Sequence, residues 1–108
     1  MLNPLGMNNI NIPQDILNSF ICRIFAAIGL NEADQKQAAA VLLAADLRGV
    51  ESHGLARLSG YIRLWEKKRI NARPNILVIH ELATTPTVDG DEGLGLVVAP
   101  FAMDLAIS

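Results

Sequence analysis

The stretch Asp46-Leu47-Arg48-Gly49-Val50-Glu51-Ser52-His53-Gly54-Leu55-Ala56-Arg57 crowds charged, polar and glycine residues between two segments of helical apolar periodicity. It reads as the end of one helix, a tight corner and the start of another. Ser52 stands where a helix N-cap belongs, because a hydroxyl there accepts from the free N–H groups of the next turn. With Ser52 as the cap, His53 and Arg57 lie four positions apart and share a face. A helix N-terminus favours an anion through its unpaired N–H groups and its dipole. An imidazole and a guanidinium added there make a carboxylate seat, since Arg grips a carboxylate with two parallel hydrogen bonds. Imidazole also suits proton transfer near neutral pH, and Gly54 leaves space for a ligand beside the ring. Ser52 reads as a cap and not a nucleophile, because no acid–base relay is visible beside it. Asp46 and Arg48 are placed to brace the corner by hydrogen bonds.

Upstream of the corner, Pro13 fits a first helical position, where a missing N–H costs nothing. Ile16, Phe20, Ile24 and Ile28, with Leu17, Ile21 and Phe25 beside them, form a one-sided helical stripe that leaves Asn18 and Arg23 toward water. Gly29 ends that helix as the C′ residue. Asn31 caps a second helix, with Glu32 and Asp34 in the first turn, where acids are favoured. The uninterrupted apolar run from Ala38 through Ala45 predicts a helix packed on more than one side. Met1 to Ile10, with Pro4, Gly6 and several asparagines, reads as a loose arm.

Downstream, Leu55, Leu58, Ile62 and Trp65 continue at helical spacing, with Arg63, Lys67 and Lys68 opposite. The run Lys67-Lys68-Arg69 suits the negative end of that helix and reads as a solvated face. Pro74 closes the helical region. Asn75 to Leu82 reads as a strand, and Thr84 to Val88 as a second, with Pro86 favouring an edge. Val88-Asp89-Gly90-Asp91 is a turn signal. Gly93 and Gly95 resemble part of a phosphate loop but lack a full dinucleotide fingerprint, so they are expected to permit a bend and close packing. A final helix begins near Leu96 or Val97 and runs through Met103 and Ile107. The chain then stops in mid-pattern at Ser108, as a fragment would.

The fold class is therefore α+β: an N-terminal bundle of three helices, a short strand pair and a final helix. The expected division is a flexible arm over 1–11, a helical domain over 12–73 and the incomplete start of a strand-containing domain over 74–108. With 51% hydrophobic and only 5% aromatic residues, the core must come from Leu, Ile, Val and Ala. A net charge of -2 gives no electrostatic reason to expect a nucleic-acid or anionic-membrane partner. No apolar run reaches membrane-spanning length and no secretory signal pattern opens the chain, so the reading is a soluble, cytoplasmic protein. Cys22 reads as a small buried apolar residue. His53, His80 and Cys22 make no recognisable metal site, so no metal is expected.

The run from Ala45 through Leu58, followed by Tyr61, resembles the malate/L-lactate dehydrogenase family that lacks the ordinary Rossmann fold. Ureidoglycolate, sulfolactate and delta-1-piperideine-2-carboxylate reductases belong to it. Arg69-Ile70-Asn71, Val88-Asp89-Gly90-Asp91-Glu92-Gly93-Leu94-Gly95 and Ala102 through Ile107 match as well, so the likeness covers nearly the whole chain from Ile12. Glu51 stands where the family commonly has Asp. The resemblance implies oxidation of a 2-hydroxy acid such as malate or lactate, or reduction of a 2-oxo or cyclic imino acid, with NAD or NADP. It implies that Ser52, His53 and Arg57 contact substrate: Arg57 holds the carboxylate and His53 acts at the oxygen-bearing end, as the catalytic residue of this segment. It also implies a homo-oligomer, a homodimer, with most of the cofactor site and the usual acid–base histidine beyond this segment. On that reading the chain is the N-terminal part of a larger α/β enzyme and does not turn over alone. The competing reading is a non-catalytic helical interaction or oligomerisation module, in which the corner is purely structural.

Overall fold

The computed structural model describes residues 12–108, so the arm expected over 1–11 lies outside the described residues. The order is α1 (Gln14–Ile28), α2 (Glu32–Leu47), two single 3-10 turns (Glu51–His53 and Leu55–Arg57), α3 (Leu58–Glu66), β1 (Leu77–Glu81), β2 (Pro86–Asp89) and α4 (Gly95–Ile107). This is the α+β arrangement expected from the periodicities.

All three helices of the bundle end in the same way, and the sequence explains two of the three endings. After α1, the Gly29 N–H bonds to the Ala26 carbonyl at 3.0 Å and the Leu30 N–H to the Phe25 carbonyl at 3.0 Å. After α2, the Gly49 N–H bonds to Asp46 at 3.0 Å and the Val50 N–H to Ala45 at 2.8 Å. After α3, the Lys68 N–H bonds to Trp65 at 2.9 Å and the Arg69 N–H to Leu64 at 2.9 Å. Each is a Schellman ending, which satisfies orphan carbonyls by turning one residue left-handed. Glycine takes that conformation at little cost, with φ 112° at Gly29 and 76° at Gly49. Lys68 takes it with φ 57°, which a β-carbon makes less favourable.

The start of α2 is as expected, the Asn31 side chain accepting from the Asp34 N–H at 2.8 Å. Pro13 sits one residue before α1 and not inside it, its carbonyl taking the first helical bond from the Leu17 N–H at 3.1 Å. The stripe on α1 is also rotated from the expected one. Ile21, Phe25 and Ile28 are buried, while Ile16 is 59% and Phe20 52% exposed. The partner decides this: α2 meets the Ile21–Phe25 face, and no described element covers the N-terminal half of the other one.

The core joins Ile21, Phe25, Ile28 and Leu30 to Ala38, Ala39, Leu42 and Leu43 of α2, Leu58 of α3, and Leu94 and Val97 at the start of α4. The α2 run is indeed packed on more than one side, against α1, α4 and the corner. The largest fully buried side chains are Phe25, Ile21 and Leu42, each contributing roughly 1.5–3 kcal/mol by removal from water. Cys22 is half-buried and its thiol donates to the Gln35 carbonyl at 3.7 Å.

The strands pair antiparallel, Leu77 with Asp89, Val78 with Val88, His80 with Thr87 and Glu81 with Pro86. The register breaks between Val78 and His80, so Ile79 bulges out. Every residue of β1 is exposed, His80 included. The hairpin is tied down at its base by Asp91. Its carboxylate accepts from the Asn75 N–H at 2.8 Å and from Asn71 Nδ2 at 3.0 Å, while the Asn71 N–H donates to the Glu92 carbonyl at 2.9 Å. Asp91 and Glu92 both have positive φ, 52° and 58°, inside a turn closed from the Gly93 N–H to the Gly90 carbonyl at 2.9 Å. The Asn71 clasp holds that uncommon backbone in place. The final helix begins at Gly95, slightly earlier than expected, and carries Pro100 inside it. Among the described residues no helix is long and apolar enough to cross a membrane.

Candidate substrate site at the corner

The corner differs from the sequence expectation in its backbone. Ser52 is not an N-cap: it lies in the middle of the first 3-10 turn, and α3 starts only at Leu58. His53 and Arg57 therefore do not share the first turns of one helix. They sit at the ends of two successive 3-10 turns, on either side of Gly54.

Gly54 explains the break. It is buried, and the Asp46 carboxylate fills the place where a β-carbon would stand. From there Asp46 Oδ2 accepts the Leu55 N–H at 2.9 Å, an orphan donor at the start of the second turn. The glycine thus makes room for Asp46 and not, as expected, for a ligand. Asp46 braces the corner as predicted. Arg48 contributes only backbone, its N–H bonding to the Ala44 carbonyl at 3.1 Å; its side chain has no hydrogen-bond partner among the described residues.

The three residues singled out from the sequence are nevertheless brought together, with Ser52 as the hub. Ser52 Oγ lies 2.9 Å from His53 Nδ1. The Ser52 carbonyl accepts from Arg57 Nε at 2.8 Å. Ser52, His53 and Arg57 are all exposed, so neither the imidazole nor the guanidinium is plugged into the interior. Ser52 and His53 thus form an exposed Ser–His pair.

Two features escaped the sequence reading. Gly54 as a receptor for Asp46 carried no signal, because the contact, like the Leu55–Asp46 bond across nine positions, depends on the corner's path. The second is a cleft of about 330 Å³ on α3, lined by Arg57, Gly60, Tyr61, Arg63, Leu64, Lys67 and Arg69. Arg57 reaches into that lining and His53 does not. The cations were visible in the sequence, but their convergence was not.

The fold and the corner can be set against known proteins. A model of the malate/L-lactate dehydrogenase family matches residues 12–108. Malate dehydrogenase of Pyrococcus horikoshii is 47% identical over 100 residues, covering 93% of this chain and 28% of that protein. L-sulfolactate dehydrogenase of Methanocaldococcus jannaschii is 41% identical over 87 residues, covering 81% and 25% respectively. The solved structure of the Pyrococcus horikoshii protein superposes with a TM-score of 0.87 over 91% of this chain and 28% of that one. The chain thus spans between 25% and 28% of the length of these curated relatives. With the match running from before α1 to the last residue of α4, the chain belongs to the malate/L-lactate dehydrogenase family.

Proposed function

We propose that the chain supplies the substrate-carboxylate seat of an NAD(P)-dependent oxidoreductase acting on a 2-hydroxy or 2-oxo acid such as malate or lactate. The observation that carries this is the double use of Ser52, whose carbonyl engages Arg57 Nε and whose hydroxyl engages His53 Nδ1. With Nε occupied, the N–H groups on the two Nη atoms of Arg57 remain to take both oxygens of a carboxylate. In the tautomer whose Nδ1 accepts from the Ser52 hydroxyl, Nε2 carries the ring proton and is a donor toward a ligand oxygen. A guanidinium for the acid end and an N–H donor for the adjacent oxygen are the two contacts a 2-hydroxy or 2-oxo acid requires.

The described residues do not fit a dinucleotide cradle. A β-carbon on Gly90 would meet Val98 at 2.8 Å, and one on Gly93 would meet Pro74 at 2.7 Å. These glycines serve close packing of protein on protein and give no room for the approach of a pyrophosphate. Of Gly90, Gly93 and Gly95, Gly95 alone faces open space. The chain's share of the chemistry is therefore the acid end of the substrate. The names of the relatives, malate and L-sulfolactate dehydrogenase, support a hydroxy acid as the substrate class. A homo-oligomer in the cytoplasm accords with the same reading.

The test is turnover of malate, lactate and sulfolactate with NAD and NADP by the protein from the complete reading frame, in wild-type, Arg57→Ala and Arg57→Lys forms. Loss of the carboxylate fork in Arg57→Ala should cost about 2–4 kcal/mol in kcat/KM, carried mainly by KM. Arg57→Lys keeps the charge but not the fork and should fall between the two. Equal kcat/KM in all three forms would refute the seat.

A further inference from the structure

The run Lys67-Lys68-Arg69 has the composition of a solvated face. The structure gives it a different shape. The left-handed residue is Lys68, and the reversal there turns the chain at the end of α3 so that Lys67 and Arg69, but not Lys68, enter the lining of one cleft. Arg57 enters it from the preceding 3-10 turn and Arg63 from α3. Lys67 and Arg63 are one helical turn apart, a spacing at which like charges repel. The Lys67 N–H bonds to the Arg63 carbonyl at 3.1 Å, which fixes the two backbones at that separation.

Among the described residues, no acidic side chain enters the lining of this cleft. Among the described residues the ion pair is Lys36 with Glu32, on α2 and away from the cleft. Glu66 is on the same helix, yet it is not in the lining and is paired with none of the four. The chain as a whole carries a net charge of -2, so this positive face stands against the global balance. Four guanidinium or ammonium groups around about 330 Å³ present many N–H donors, no side-chain acceptor except the Tyr61 hydroxyl, and a volume at the small end for a ligand site. A monocarboxylate would satisfy one guanidinium and leave three cations facing each other. A phosphoryl or pyrophosphoryl group brings more charge and more acceptor oxygens in a compact shape.

We propose that the α3 cleft is a binding site for a phosphate-bearing small anion, built mainly on Arg63, Lys67 and Arg69 and overlapping the carboxylate seat at Arg57. The proposal does not rest on the dehydrogenase reading, since the cleft would recognise its ligand whatever the corner binds. An extended nucleic acid is disfavoured by the small volume and by the acidic balance of the chain.

The experiment is calorimetric titration of the 108-residue chain with pyrophosphate, inorganic phosphate, malate and a short single-stranded oligonucleotide. It compares wild type with Arg63→Gln/Lys67→Gln and with Arg69→Gln. Arg57 stays intact, and circular dichroism checks that each variant keeps the wild-type spectrum. Pyrophosphate should bind more tightly than phosphate, the double variant should weaken it at least tenfold, and Arg69→Gln should weaken it severalfold. Pyrophosphate affinity unchanged in the double variant would overturn the proposal. So would an oligonucleotide that binds more tightly than pyrophosphate, or malate that competes for the same cleft with equal affinity. If the Arg63→Gln/Lys67→Gln surface cannot be prepared folded, pyrophosphate-induced amide shifts must map to residues 57–69 of the wild-type chain; shifts elsewhere or none would overturn it equally.

Discussion

Removing either Gly54 or Asp46 should break one and the same hydrogen bond, and this can be measured as a coupling energy. Asp46→Ala deletes the acceptor of the Leu55 N–H, a partly buried contact of 2.9 Å. A charge-assisted bond of this kind, with the donor left unmet, is worth about 1.5–3 kcal/mol. Gly54→Ala places a methyl group where the Asp46 carboxylate now stands. The carboxylate must leave, so the same bond is lost, and the single variant should cost at least the same about 1.5–3 kcal/mol. In the double variant the methyl enters space that Asp46 has vacated. The double should therefore be no less stable than Gly54→Ala alone, giving an interaction energy of about 1.5–3 kcal/mol in magnitude. The assay is equilibrium urea unfolding followed by far-UV circular dichroism, with the slopes compared so that a change in the unfolded ensemble is not misread as a contact energy. For a domain of this size each kcal/mol also moves Tm by roughly 4–8 °C. If the two single costs simply add, to within about 0.5 kcal/mol, the glycine and the carboxylate do not share a space and the account of the corner is wrong.

Two substitutions at helix ends should have opposite signs. Gly49→Ala meets nothing within 4 Å, so its cost is backbone alone, about 1 kcal/mol of destabilisation at a φ of 76°. Lys68→Gly removes a β-carbon from a left-handed position and should stabilise by about 0.5–1 kcal/mol; thermal unfolding of the pair checks both, and a shared sign would refute the assignment of Lys68 to a strained C′ position. Leu77, Ile79 and Leu82 of the hairpin and Phe101, Met103 and Ile107 of α4 are all exposed, and exposed apolar surface of this kind favours association. Light scattering of the purified 108-residue chain should therefore show self-association that rises with concentration and is suppressed in Ile79→Lys/Met103→Lys; a monomer across the micromolar range would count against it.

The bonds within the corner were beyond a local reading for a physical reason. A Ser before a helical pattern satisfies the N-cap rule wherever the helix starts, and here it starts six residues later because Asp46 reaches forward across the bend to take the Leu55 N–H. Likewise Ile16 and Phe20 match the apolar period of α1 as well as Ile21 and Phe25 do, and only the placement of α2 selects the second pair for burial. The matches at Asn71 and at Asp91 looked like separate motifs. In the fold they are two halves of one clasp, joined through Asn71 Nδ2 and the Asp91 carboxylate at 3.0 Å.

The amino-acid sequence by itself determined the things that depend on neighbours along the chain. These are the helix and strand order, the stop at Gly29, the Asn31 cap, and the many-sided burial of the alanine-rich α2, because capping and periodicity act over one or two turns. It also singled out Ser52, His53 and Arg57, whose residue types alone suggest an acid. Tertiary structure decided which face of α1 is core, why Gly54 must be glycine, and that Arg57, Arg63, Lys67 and Arg69 surround one cleft. Those outcomes depend on distances between residues far apart in the chain, and no local rule sets them. They follow once α2 has chosen its partners and the Asp46 carboxylate has bent the chain back on itself.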